Sequence, residues 1–362
     1  MEQKANNKRA VKVLGGIDSL YYFIKCDVEL YHTFYESIER DTDFLCDYDG
    51  IKFLTNTGKY DGVIGFKYQY SVNDVKIAAI TFKDPNKQQK VHNVYVQLYA
   101  ESIYSNGLKV SVDMVAELLL NLFGLASSYD TMFPSRVDVN CFVGGFDFSR
   151  VSDECFAGSF HRALIKENVH AITRDRHTET LYLGSRTSKI SFKIYDKLLE
   201  LSQKIDNFST CVKLAYLSDN GFGVDFQKDH LWNAEFSLKR EYLTECNIYT
   251  LEMLFKSFKL LYFNCFANLD FYGFDVKKIA KLRKSRNLKR LSNHPVWELM
   301  LNNKSFNPLS PDISWGDLPV ERIVPKAKEL SEKWAREKIL SILNNADKMG
   351  WDFSDIFERV GA

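Results

Sequence analysis

No stretch of this sequence is apolar for long enough to cross a membrane. The longest candidate, near Val115 to Ala126, is interrupted by Glu117 and Asn121, and the N-terminal MEQKANNKRAVK lacks the apolar core of a signal peptide. No membrane span or export is expected, and the chain reads as cytoplasmic. Paired cysteines are missing too. Cys26, Cys46, Cys141, Cys155, Cys211, Cys246 and Cys265 form no C-x-x-C, which argues against a zinc ribbon and a disulfide framework and suits reduced thiols. The histidines never form H-x-H, so no imidazole pair is offered to a metal. Neither G-x-x-x-x-G-K-[ST] nor G-x-G-x-x-G occurs, which speaks against built-in ATPase and dinucleotide functions, and without H-x-x-R a tyrosine-recombinase reading is weak. Internal repeats and low-complexity tracts are absent.

Net charge is nearly absent as well, at +1, but its distribution is uneven. Lys277, Lys278, Lys281, Arg283, Lys284, Arg286, Lys289 and Arg290 fall in one stretch without an acid, which leaves the rest of the chain mildly acidic. Such a local block suits a directed contact with a polyanion, and the interspersed Ile279, Leu282 and Leu288 suit a helix with one docked face and one free face. A plain solvated helix face fits the same pattern. The 45% hydrophobic and 26% charged shares are those of a globular chain, and the 14% aromatic share favours sheet.

Alternation predicts strands from Gly15 through Ile24, in a hairpin of Val63–Tyr70 and Val75–Phe82 about Asn73-Asp74, and at Val91–Tyr99, Arg136–Val143, Thr180–Tyr195 with a break at Gly184, and Trp232–Lys239. Helical spacing marks Val112–Leu125 and Glu154–Lys166, then Leu251 to Leu261, the basic block, and a last helix ending near Gly350 after Pro295 and Pro308 to Pro325. The expected class is α+β, a largely antiparallel sheet with packed helices followed by a helical C-terminal region. A soft boundary near residues 265 to 275 divides residues 1–268, a catalytic domain, from residues 269–362, a basic helical accessory region.

In TLYLGSRTSKISFKIYDKLLE, Ile190, Phe192 and Ile194 share one strand face, and Ser191, Lys193, Tyr195 and Lys197 share the other. If the extended form persists, Tyr195 lies about 7 Å from a cation on either side. That field favours phenolate and holds a phosphodiester, as a tyrosine nucleophile requires. A half-exposed strand tyrosine beside solubilising lysines gives the same pattern. On neighbouring strands, Arg136, Asp138 and Asn140 alternate with Val137, Val139 and Cys141, and Asn233, Glu235, Ser237 and Lys239 with Trp232, Ala234, Phe236 and Leu238. A shared sheet would gather Asp138, Glu235 and Tyr195 on its polar face, where two carboxylates suit a hard divalent cation. Any sheet with one wet face alternates this way too.

GGIDSLYYFI, SRVDVNCF, LYLGSRTSKISFKIYDK and NAEFSLKREYL, spanning residues 14 to 245, resemble the replication initiation factor family of rolling-circle plasmid and filamentous-phage initiators and related conjugative relaxases. The third motif is the most specific. The resemblance implies that Tyr195 is the nucleophile, that Lys197 assists at the phosphate, and that Asp18, Asp138 and Glu235 occupy acidic positions tied to Mg²⁺ or Mn²⁺. Phe142 stands where a second acid often follows R-x-D, and Asn233 replaces the usual Arg before Glu235.

The expected function is therefore site-specific nicking and joining of one DNA strand through a 5′-phosphotyrosine at Tyr195, aided by Lys193. Arg136, Arg186 and the basic block would contact double-stranded origin DNA and single-stranded DNA. A host helicase and polymerase would follow, and a homodimer is admissible. Replication is preferred to conjugation because no further N-terminal DNA-binding domain precedes the first strand. A non-enzymatic DNA-binding regulator is the rival. Gly184 to Ser188 reads as a plain turn, with phosphate positioning as the alternative.

Overall fold

The computed structural model describes residues 10–26, 51–60, 63–72, 75–83 and 93–306, with side chains described except at 51–60, 63–69, 122 and 123. The chain divides into units Met1–Ile323 and Val324–Ala362, and all described residues belong to the first. The expected final helix, Pro308 to Pro325, and the Asn73-Asp74 turn lie outside the described residues.

Ten strands form one antiparallel sheet. In chain order they are β1 (Lys12–Ile24), β2 (Ile51–Tyr60), β3 (Val63–Val72), β4 (Val75–Lys83), β5 (Val94–Leu98), β6 (Met132–Gly144), β8 (Val169–Arg174), β9 (His177–Leu183), β10 (Ile190–Asp196) and β11 (Leu231–Lys239). The spatial order is β2-β3-β4-β5-β1-β6-β11-β10-β9-β8, so the long β1 and β6 lie at its centre. Two short strands, β7 (Phe156–Ala157) and β12 (Asp270–Phe271), pair separately. The helices are α1 (Ala100–Asn106), α2 (Leu108–Phe123), α3 (Ser159–Leu164), α4 (Lys197–Ser202), α5 (Phe208–Asp219), α6 (Arg240–Glu245), α7 (Leu251–Ala267), α8 (Val276–Lys284) and α9 (Pro295–Leu301). The α+β class with an antiparallel sheet holds, and after β11 the described chain is helical apart from the short β12 and its connections.

Alternation explains the layering. Val137, Val139, Cys141, Phe192, Ile194, Trp232, Ala234 and Phe236 point to one face, and the core they enter also takes Phe156, Leu254, Phe258, Phe266, Phe271 and Trp297 from β7, α7, β12 and α9. Burying this much apolar surface is the main driving force for the fold. The opposite face carries Leu14 and Phe142, which form a smaller core with Tyr104, Leu198, Leu201, Leu217 and Phe222 from α1, α4, α5 and the chain after α5.

Three boundaries differ from the pattern-based expectation. The strand holding Tyr195 stops at Asp196, because the Asp196 carboxylate accepts the Leu199 amide proton at 2.9 Å and caps α4; Lys197 is helical, not extended. The stretch Glu154–Lys166 is not one helix. A 3₁₀ turn at Asp153–Cys155 and β7 precede α3, and Gly158 between them has φ +106 and lies against the Asn268 carbonyl, where a side chain would collide. The basic block is helical only through Lys284, since Arg286 adopts φ +56 and a 3₁₀ turn follows at Leu288–Arg290.

Candidate active site

Antiparallel register brings the singled-out residues into rows on one sheet face. Tyr195 pairs with Asn233, Lys193 with Glu235, Glu235 with Asn140, and Asp138 with both Ser237 and Ser19. Asp18 sits at an irregularity between the Ile17 and Ser19 pairings; such a bulge re-aims a side chain, and its carboxylate accepts a hydrogen bond from the Tyr104 hydroxyl. Asp18, Asp138, Lys193, Tyr195, Lys197 and Glu235 thus share one neighbourhood.

The face is not wet at its centre, however. Asp138, Asn140, Asn233 and Glu235 are at most 2% exposed and Tyr195 is 8% exposed: Leu198, Leu201 and Leu217 of α4 and α5 pack with Phe142 and Leu231 of the same face, and Arg136 and Lys193 pair with Asp138 and Glu235. The alternation is real; the solvent expected on the polar side is replaced by helices.

Tyr195 Oη accepts a hydrogen bond from Asn233 Nδ2 at 2.9 Å and one from Lys197 Nζ at 3.3 Å. Asn233 is held in turn by Asn140 Nδ2, which donates to its side-chain oxygen at 3.0 Å. Lys193 Nζ lies 4.9 Å and Lys197 Nζ 5.3 Å from the centre of the tyrosine ring. Despite these cations the phenol is held well above its ordinary pKa. Burial is the largest cause, the Glu235 carboxylate adds to it, and Lys193 only opposes them. The phenolate-favouring field expected from sequence is therefore overridden by burial.

Each carboxylate already has a partner. Arg136 Nε and Nη2 donate to both Asp138 oxygens at 2.8 and 2.7 Å, Lys193 Nζ lies 2.9 Å from Glu235 Oε1, and Lys197 lies 2.7 Å from Glu200. Burial, against the attraction of Lys193, pushes the Glu235 carboxyl up to about 8, and its Oε2 is buried without a hydrogen-bond partner. Burial also raises Asp138. For Asp18 the burial effect is outweighed by Lys197, Lys213 and Lys193, which lower it.

Mg²⁺ or Mn²⁺ does not fit this arrangement of Asp18, Asp138 and Glu235. Arg136 and Lys193 occupy the positions from which an ion would take its ligands, and among the described residues no three His, Cys, Asp or Glu side chains converge to hold one. The single orphaned oxygen of Glu235 is too little for a hard cation.

Of the predicted DNA contacts, Lys277, Lys278, Lys281, Lys284, Arg286, Lys289 and Arg290 are at least partly exposed, whereas Arg283 Nη2 donates to the Phe156 and Glu154 carbonyls at 2.6 and 3.3 Å and is a structural clamp. Arg186 is exposed on the Gly184–Ser188 turn, whose hydroxyls bond one another and Glu167; this is the plain turn expected. Arg136 is partly exposed over Tyr21.

The sequence is not matched by any family model or by any curated protein. Solved structures do match it. Among them is a rolling circle replication initiator protein from Geobacillus stearothermophilus, at 14% identity and a TM-score of 0.40, over 87% of this chain and all of that one.

Alternation placed Asn233 beside Glu235 but could not reveal its bond to Tyr195, which depends on strand register. Tyr104, Glu200 and Lys213 carry no motif and reach the site only through packing. No helix among the described residues is long and apolar enough to cross a membrane, and Cys141, Cys155, Cys211, Cys246 and Cys265 are unpaired thiols.

Proposed function

We propose that this protein nicks and rejoins one DNA strand through a 5′-phosphotyrosine at Tyr195, as a rolling-circle replication initiator of a plasmid or phage-like element. The observation that carries the reading is the Tyr195 oxygen itself, which takes two donors, Asn233 and Lys197, while the Tyr195 side chain lines an open groove of about 370 Å³ together with Lys193. Both donors stabilise a phenolate as it forms.

Attack by Tyr195 Oη on a phosphorus forms the tyrosyl ester and breaks the P–O3′ bond. The phenol loses one proton and the departing 3′ oxygen gains one, so a 3′-hydroxyl is released. Lys193 and Lys197 supply the positive charge that the phosphoryl oxygens need in the transition state, and because the reaction conserves ester energy the strand can be rejoined. The exposed cations about α8 hold duplex origin DNA through its phosphates. A conjugative relaxase would use the same chemistry.

The protein mixed with supercoiled DNA of its own element should convert it to open circles and leave a detergent-resistant protein–DNA adduct. Tyr195→Phe should do neither; nicking by that variant at the parent rate would end the proposal. The raised Tyr195 phenol and the paired carboxylates favour a second reading, a non-enzymatic DNA-binding regulator. In the same assay a regulator retards the DNA and never nicks it.

A further inference from the structure

The face that bears Tyr195 continues outward over the last strands of the sheet. Lys193 pairs with Tyr182 and Tyr182 with His170, while Tyr195 pairs with Thr180 and Thr180 with Ile172. Cross-strand partners point to the same side, so Tyr182 and His170 lie on the face of the candidate nucleophile. Their rings stack, with centroids 6.0 Å apart and planes at 28°. Unlike the helix-covered centre, this part is open: all six residues of β8 are exposed and Tyr182 is 36% exposed.

We propose that Tyr182 and His170 form a platform on which a base of single-stranded DNA stacks, next to the phosphate that Tyr195 attacks; this rests on the nicking reading above. Three observations point to that occupant. Tyr182 and Ile172 line the same groove as Tyr195 and Lys193, so the platform and the candidate nucleophile share one channel. Tyr182 lies two residues along the sheet from the Tyr195 row, about 7 Å. The acids that line this groove are already engaged, Glu179 with Arg174 at 3.0 Å, Glu200 with Lys197 at 2.7 Å and Asp196 with the Leu199 amide, while Lys193 stands 32% exposed over a 2% exposed Glu235 and is the groove's cation for a phosphate. A phosphate at Lys193 sets its neighbouring base against the Tyr182 ring. Duplex DNA keeps its bases stacked on one another, whereas a single strand offers a free π face.

The test uses the full chain carrying Tyr195→Phe, so that no cleavage intervenes, and a mixed-sequence single strand labelled with 2-aminopurine. Tyr182→Ala should weaken binding about 5- to 100-fold and abolish the fluorescence quenching that stacking causes. Tyr182→Trp should restore both, and an oligonucleotide with abasic sites should bind parent and Tyr182→Ala alike. Equal binding of the ordinary strand by parent and Tyr182→Ala, with both folded by circular dichroism, overturns the platform even if the parent nicks DNA. Tyr182-dependent quenching in a protein that never nicks leaves the platform standing while the proposed chemistry falls. A sedimentation mass that doubles in the parent and not in Tyr182→Ala assigns the surface to a second copy of the chain and overturns the proposal.

Discussion

A carboxyl group that keeps its proton up to about 8 titrates within the range where this protein can be studied. Folded Glu235 binds a proton between its ordinary value near 4.5 and about 8, where the unfolded chain has released it. Its contribution to stability is therefore complete below 4.5 and is lost as pH rises through 8. Glu235→Gln removes this dependence, so the fall in melting temperature from pH 5 to pH 8 should be smaller in the variant than in the parent. An equal fall would show that Glu235 ionises normally. Lys193 alone does not exclude a cation, because Arg136 holds both Asp138 oxygens. In Lys193→Ala the Glu235 carboxylate loses its partner but gains no second acid, and millimolar Mn²⁺ should raise the melting temperature of neither that variant nor the parent. A rise in both would mean that an ion displaces the lysine.

At the scale of elements, α8 combines two kinds of cation that look alike in sequence. Lys277, Lys278, Lys281 and Lys284 are exposed, whereas Arg283 bonds backbone carbonyls next to β7. Replacing the four lysines by alanine should weaken duplex binding and flatten its dependence on salt, by about 0.9 in log–log slope for each phosphate no longer neutralised. Arg283→Ala should instead destabilise the fold by about 1–3 kcal/mol in urea titration, because two carbonyls lose their donor. If Arg283→Ala weakens DNA binding at unchanged stability, the division is wrong. The β8–β9 turn carries a second prediction. Asp175 and Arg176 both have positive φ, 49° and 67°, a conformation that suits Asn-Gly better. The double change to Asn and Gly should stabilise the fold by about 0.5–1 kcal/mol in the same titration.

Across the whole molecule, the sheet separates the two surfaces assigned to DNA. The Arg283 clamp ties α8 to Phe156, which packs on Phe192 at 5.6 Å on the face opposite Tyr195. The cations proposed to hold duplex DNA and the proposed nucleophile are therefore on different sides, and a strand bound as proposed has to pass round the sheet to meet both. Neutralising the α8 lysines should leave cleavage of a short single strand within about twofold of the parent while origin binding falls. A parallel loss of both activities would mean that the same phosphates touch both surfaces.

Period-two alternation in β6, β10 and β11 was enough to put Asp138, Glu235, and Lys193 with Tyr195, each on the polar side of its own strand, because that side depends only on local backbone geometry; that the three strands share a sheet came from long-range pairing. The α7 spacing and the concentration of cations at Lys277 to Arg290 were legible for the same reason. Whether the polar side met water was a tertiary matter: beyond Lys197, which closes the third motif, α4 and α5 carry no motif, and packing is what buries Tyr195 and raises its phenol. The contact of Asn233 with the tyrosine oxygen likewise needed strand register, which long-range pairing sets and no stretch of residues encodes alone.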